Sequence, residues 1–140
     1  MAGFLSLYNK SERVEIVGVP DTKDGTFWVD VKVSITKSDY DAAQRRLMSN
    51  KLNMTGGQSS VDGDLDIPGF EEEMLVKSIV SWNLTDDSGN ILPTAPEALL
   101  RRAVLSLPAA VTAQIYERVN DLNGRRSEAE AQSFRDASQV

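Results

Sequence analysis

The chain has 140 residues, a formal net charge of −6, and neither cysteine nor histidine. That length suits one domain, and the missing residue types exclude disulfides, thiolate or imidazole catalysis and the usual zinc sites. The acidic balance opposes a phosphate backbone and so disfavours nucleic acid, and no apolar run approaches the ~20 residues of a membrane span.

No basic stretch precedes the first apolar residues, so no secretory leader is expected. Phe4, Leu5, Leu7 and Tyr8 follow no period. We read residues 1–12 as an arm and these four side chains as candidates for protein interaction. Residues 13–19 read as a strand through Val14, Ile16 and Val17, ended by the turn residues Pro20, Asp21 and Gly25. Over residues 27–35, Phe27, Val29, Val31, Val33 and Ile35 alternate with Trp28, Asp30, Lys32 and Ser34, which predicts a strand with one buried face. Trp28 falls on the polar side. It is a further interaction candidate, because aromatic anchors dominate interfaces; the competing reading covers it with the C-terminal helices.

Thr36 suits the N-cap of a helix over residues 37–50, with Asp39 in the field of the helix terminus and Tyr40, Ala43 and Leu47 at helical spacing. Residues 50–68 carry three glycines and no apolar period, and read as a loop that is mobile or ordered by a partner. Asp62, Asp64 and Asp66 alternate, and Glu73 stands twelfth from Asp62, as in a calcium loop. Ile67, however, occupies the position where that loop needs glycine. A solvated acidic loop is the simpler reading, and no metal or cofactor is expected. Over residues 71–84 a second apolar run predicts a strand at 77–84, although Leu75, Ile79 and Trp82 also fit a helix. Trp82 is assigned to the core.

Asp86-Asp87-Ser88-Gly89-Asn90 reads as a tight turn rather than a carboxylate pair for acid–base work. Thr94-Ala95-Pro96-Glu97 predicts a capping box opening a helix over residues 95–105. Leu107-Pro108 breaks it. A second helix over 108–122 follows, striped by Val111, Ile115, Val119 and Leu122 and stopped at Gly124. Ser127 to Glu130 forms another capping box, opening a last helix towards Phe134 within a tail at 124–140. The Arg45–Arg46, Arg101–Arg102 and Arg125–Arg126 pairs read as solvated helix faces, and neither glycine stretch has a phosphate-loop pattern. The patterning predicts an α+β fold: one domain over residues 13–123, with a small antiparallel sheet from the N-terminal half packed against three or four helices, mostly C-terminal.

Phe27-Trp28-Val29-Asp30-Val31-Lys32, the helix after Thr36, the stretch Val80-Ser81-Trp82-Asn83-Leu84-Thr85-Asp86-Asp87-Ser88-Gly89-Asn90-Ile91-Leu92-Pro93-Thr94, and two short helices around Leu107-Pro108 together resemble the small tail assembly chaperones of long-tailed bacteriophages. The resemblance spans residues 26–123. It implies an acidic, non-catalytic protein without cofactor or metal, which binds phage tail structural proteins in the host bacterial cytoplasm. It marks Trp82, Leu84, Asp86, Gly89 and Pro93 as residues that define the fold. The alternative is a permanent virion component: a head–tail connector, a tail terminator, or a decoration or minor capsid protein. A homo-oligomer is compatible with either.

Overall fold

A computed structural model of the chain describes residues 3–53 and 65–138, with side chains over 3–48 and 65–124. In chain order it contains strands β1 (Ser11–Ile16) and β2 (Phe27–Lys32), helices α1 (Lys37–Asn53) and α2 (Ile67–Ser78), strand β3 (Ile79–Trp82), and helices α3 (Glu97–Ser106) and α4 (Ala109–Ser138). The strands make one antiparallel sheet in the order β1-β2-β3. The fold is α+β with its helices mostly C-terminal, as the patterning predicts.

Period two divides the sheet. Val29, Val31 and Ile16 are buried on one face, while Arg13 opposite Asp30 and Glu15 opposite Trp28 occupy the other. Helix α4 lies against β1 and β2 and buries Ile115 and Val119 completely. Glu12 shares the inner parity and is held by the Arg118 guanidinium of α4, whose Nη2–H donates to Oε1 at 2.7 Å and whose Nε–H donates to Oε2. Helix α2 packs on α1, α3 and α4 and buries Met74, Leu75 and Val76. Each such apolar side chain contributes ~1.5–3 kcal/mol by leaving water.

Several elements differ from the sequence reading. The strand expected over 77–84 is the end of α2 followed by β3. Because α2 is enclosed by three helices, Met74-Leu75-Val76 runs apolar without a break, and the helical period is lost. In β3, Val31 pairs with Ile79 while Asp30 pairs with Ser81. Val80 is the extra residue of a bulge, which lets Ile79 and Trp82 both face the core and leaves Val80 exposed. Strand β1 begins two residues early, because Ser11 still pairs with Lys32, and ends at Ile16 before Gly18 at φ +75°. Strand β2 stops at Lys32, although Val33 N–H still donates to Lys10 O at 3.0 Å.

Helix α1 runs to Asn53, and its start is as expected: Asp39 N–H donates to Thr36 Oγ1 at 3.1 Å. Of the alternate aspartates, Asp66 caps α2, accepting Gly69 N–H at 3.0 Å, with Pro68 in the first turn. Asp62 and Asp64 lie outside the described residues, as does most of the loop read at 50–68. Thr94 does not cap α3. Pro96, after a cis Ala95–Pro96 bond, takes the N-cap, so Thr94 stands two residues ahead of it, and Glu97 pairs with Lys77 instead of closing a capping box. Gly124 does not stop α4, which continues to Ser138. A glycine inside a helix costs about 1 kcal/mol against alanine, too little to break a helix flanked by good formers such as Arg125 and Arg126.

Candidate interaction surface

The first described residues form a 3₁₀ turn over Phe4–Leu7. Ser6 N–H and Ser6 Oγ–H both donate to Gly3 O, at 3.1 and 2.6 Å, and Tyr8 N–H donates to Leu5 O at 3.1 Å. Phe4 and Tyr8 face each other with ring centroids 5.3 Å apart and planes tilted by 57°. The turn buries none of its own residues. Phe4, Leu5, Leu7 and Tyr8 are 71, 78, 55 and 40% exposed, four large apolar side chains within five positions.

Beyond the Val33–Lys10 bond the two chains diverge. The arm coils into its turn, and the other chain bends through Val33 and Ser34 into α1. Between them lies an open cleft of about 610 Å³, walled by Phe4, Leu5 and Tyr8 on one side and by Lys32, Ile35 and Lys37 on the other. Thr36 lies in the same wall, turned towards the α1 cap. The sequence reading found the arm but not this far wall. Its residues lie more than twenty positions away, and nothing in their pattern marks a cleft.

Trp28 lies elsewhere. It is four residues along β2 from Lys32, roughly 13 Å at the strand rise. Its ring is covered by Arg13, whose guanidinium carbon stands 3.7 Å from the ring centroid. Arg13 also forks onto Asp30, with Nε–H to Oδ1 at 2.9 Å and Nη2–H to Oδ2 at 3.2 Å. The hydrogen bond to Asp30 is the largest cause of the raised Arg13 pKa and outweighs the opposing desolvation. The structure therefore does not join Trp28 to the arm in one patch.

The residues singled out by the resemblance sit at the end of the sheet. Trp82 and Leu84 are buried, and Trp82 Nε1–H donates to Leu92 O at 2.8 Å. Asn83 extends the β2–β3 ladder with its side chain: Trp28 N–H donates to Asn83 Oδ1 at 2.8 Å, and Asn83 Nδ2–H donates to Thr26 O at 2.9 Å. The Asp86 carboxylate accepts Ser88 N–H and Asn90 N–H at 2.9 and 3.0 Å, and Gly89 takes φ +84° to close the turn. Asp86 is thus engaged in the turn, and Asp87 is exposed beside it. Pro93 is exposed, one residue after Leu92 N–H bonds to Leu84 O.

One carboxylate cluster escaped the sequence reading. Glu72 and Glu73 on α2 are clamped between Arg46 of α1 and Arg101 of α3. Arg46 Nη1–H donates at 2.5 Å to Glu72 and 3.2 Å to Glu73; Arg101 Nη1 lies 3.0 Å from Glu72 and 2.6 Å from Glu73. The hydrogen bond to Glu72 is the largest cause of the raised Arg46 pKa. For Arg101, burial opposes the charge, but the bonds to Glu73 and Glu72 outweigh it. Glu73, the residue that would close a calcium loop, is committed to two arginines. Among the described residues no three potential ligands gather as a metal site, and no helix is long and apolar enough to cross a membrane. No protein-family model, curated protein or solved structure matches the chain.

Proposed function

We propose that this chain is a non-catalytic binding protein of long-tailed phage tail assembly, one that keeps a tail structural protein dispersed until it joins the tail. The binding half of this reading is carried by the exposed arm. Contiguous apolar surface on a folded domain marks an interaction site, and each large side chain there gains ~1.5–3 kcal/mol if a partner covers it. The assembly half is supported by the Trp82-to-Thr94 pattern, which resembles tail assembly chaperones. Reversible cover of apolar or edge-strand surface is how such a protein would suppress aggregation. A net charge of −6 would keep the complex dispersed in the host cytoplasm.

Co-expression with candidate tail and head proteins, followed by affinity capture, tests the reading. A tail protein should co-purify with the wild-type chain and be lost with a Phe4→Ser, Leu5→Ser double variant of unchanged urea midpoint. Capture of no tail or head protein by the wild type would sink the proposal. A permanent virion subunit is the second reading, favoured by the defined 3₁₀ turn of the arm, since a preformed turn suits one fixed neighbour. Mass spectrometry of purified particles separates the two: a chaperone is absent, a subunit present in many copies.

A further inference from the structure

Resting on that reading of the arm, we propose that the cleft between the arm and residues 32–37 takes a segment of the partner protein that is both acidic and apolar. The chain as a whole is acidic, with 21 Asp and Glu against 15 Lys and Arg. The cleft reverses that balance. Among the described residues its walls hold Lys32 and Lys37 and no carboxylate.

These cations are available to a ligand. Lys32 makes no ion pair among the described residues. Lys37 pairs with Asp41 at 2.8 Å, but its side chain is 88% exposed. An exposed pair of that kind contributes little and is readily exchanged for another carboxylate. The same walls are rich in apolar surface: Phe4, Leu5, Tyr8 and Ile35 offer rings and branched carbons. Apolar side chains set beside two cations are complementary to a peptide that sets Asp or Glu beside large aliphatic or aromatic side chains. A phosphate backbone would meet the lysines but waste the apolar walls, and would approach against the net charge. A second copy of this acidic chain would also meet like charge over most of its surface.

The full chain, panned against a random dodecapeptide library displayed on yeast, provides the test. Enriched peptides should combine Asp or Glu with Leu, Ile, Phe, Tyr or Trp. They should bind a Lys32→Gln, Lys37→Gln variant about 30-fold more weakly, the loss of roughly one close charge pair in water for each lysine. Binding should weaken as salt is raised and be lost in the Phe4→Ser, Leu5→Ser variant. Enrichment of neutral or basic peptides, equal binding to the glutamine variant, or no enrichment at all overturns the proposal. Sedimentation of the chain with mixed phosphatidylcholine and phosphatidylserine vesicles, abolished by the arm variant, would overturn it too and assign the arm to a lipid surface. A tail protein captured through the arm yet indifferent to the glutamine variant would leave the assembly reading standing and remove this one. Acidic peptides enriched without any tail or head protein captured would do the reverse.

Discussion

The Arg13 guanidinium is stacked 3.7 Å over the centre of the Trp28 ring. The same group is forked onto Asp30, its directly opposed neighbour in the β1–β2 ladder. Trp28 is thereby used within the chain: the ring supports the guanidinium, and Asp30 fixes its plane. Asp30 is only 18% exposed at its side chain, so the fork is better ordered than an ordinary surface pair. A cation–π contact is favourable even at an exposed site. Arg13→Ala should therefore lower the urea midpoint slightly, while capture of a tail protein through the arm is unchanged. Loss of capture at unchanged stability would instead make Trp28 and Arg13 part of the docking surface.

The four-residue cluster of Arg46, Arg101, Glu72 and Glu73 joins three helices through one pair of carboxylates, and both carboxylates are nearly enclosed, at 12 and 9% exposure. Truncating one arginine leaves negative charge in a poorly solvated place, which costs more than the pair itself contributes. Arg101→Met should destabilise by about 2 kcal/mol. Adding Glu73→Gln should recover part of that loss, because the orphaned charge is removed together with its partner. A cycle of urea midpoints checks this. Additive losses would show that the cluster is not coupled.

Ser78 closes α2 with a side chain that is 0% exposed, and its hydroxyl has no hydrogen-bond partner among the described residues. An unsatisfied buried hydroxyl carries a desolvation penalty of ~1–3 kcal/mol. Ser78→Ala removes the polar atom and leaves no cavity larger than one oxygen. We expect the variant to match or exceed wild-type stability, by up to about 1 kcal/mol, in thermal or urea unfolding. A clear loss of stability would mean that the hydroxyl is satisfied in solution.

Which parts of the fold were legible from the residues follows from how many sides each element buries. Strand β2 and helix α4 present one face to the core, so period two at Val29 and Val31 and the Ile115–Val119 spacing could be read directly. Helix α2 is enclosed by α1, α3 and α4, and its charged residues Glu72, Glu73 and Lys77 are drawn into ion pairs with those neighbours rather than set on a solvent face that would mark its period. The bulge at Val80 moves Ile79 and Trp82 to one side, against the parity that alternation predicts. Alternation groups Asp66 with its acidic neighbours, although Asp66 and Pro68 ahead of an apolar run also spell a helix start. The arm was visible because four apolar residues fit no period. The lysines facing it were not, because a cleft between the arm and residues 32–37 is a product of topology.

Lys77 and Glu97 tie the end of α2 to the start of α3 at 2.5 Å, and their charges give the fold a defined pH window. The hydrogen bond from Lys77 is the main cause that holds the Glu97 carboxyl below its ordinary range. The hydrogen bond to Glu97 is the main cause that raises Lys77, with Glu73 and Asp39 adding weaker attraction. A depressed carboxyl contributes stability that is present above its unfolded pKa, about 4.3, and lost as pH falls through the folded value. A raised ammonium contributes stability that is present below its unfolded pKa, about 10.4, and lost as pH rises through the folded value. The pair is thus fully effective between these limits. Because the Glu97 side chain is 51% exposed, solvent screening limits the contribution to under about 1 kcal/mol. Lys77→Met should therefore be less stable than wild type near neutrality, and the gap should close as the pH is taken below about 4 and Glu97 is protonated. High salt at about pH 7 should narrow the same gap. Urea midpoints of the two proteins across acidic pH give the comparison, and a gap that persists undiminished at about pH 3 would show that Lys77 acts by packing its methylenes rather than by its charge.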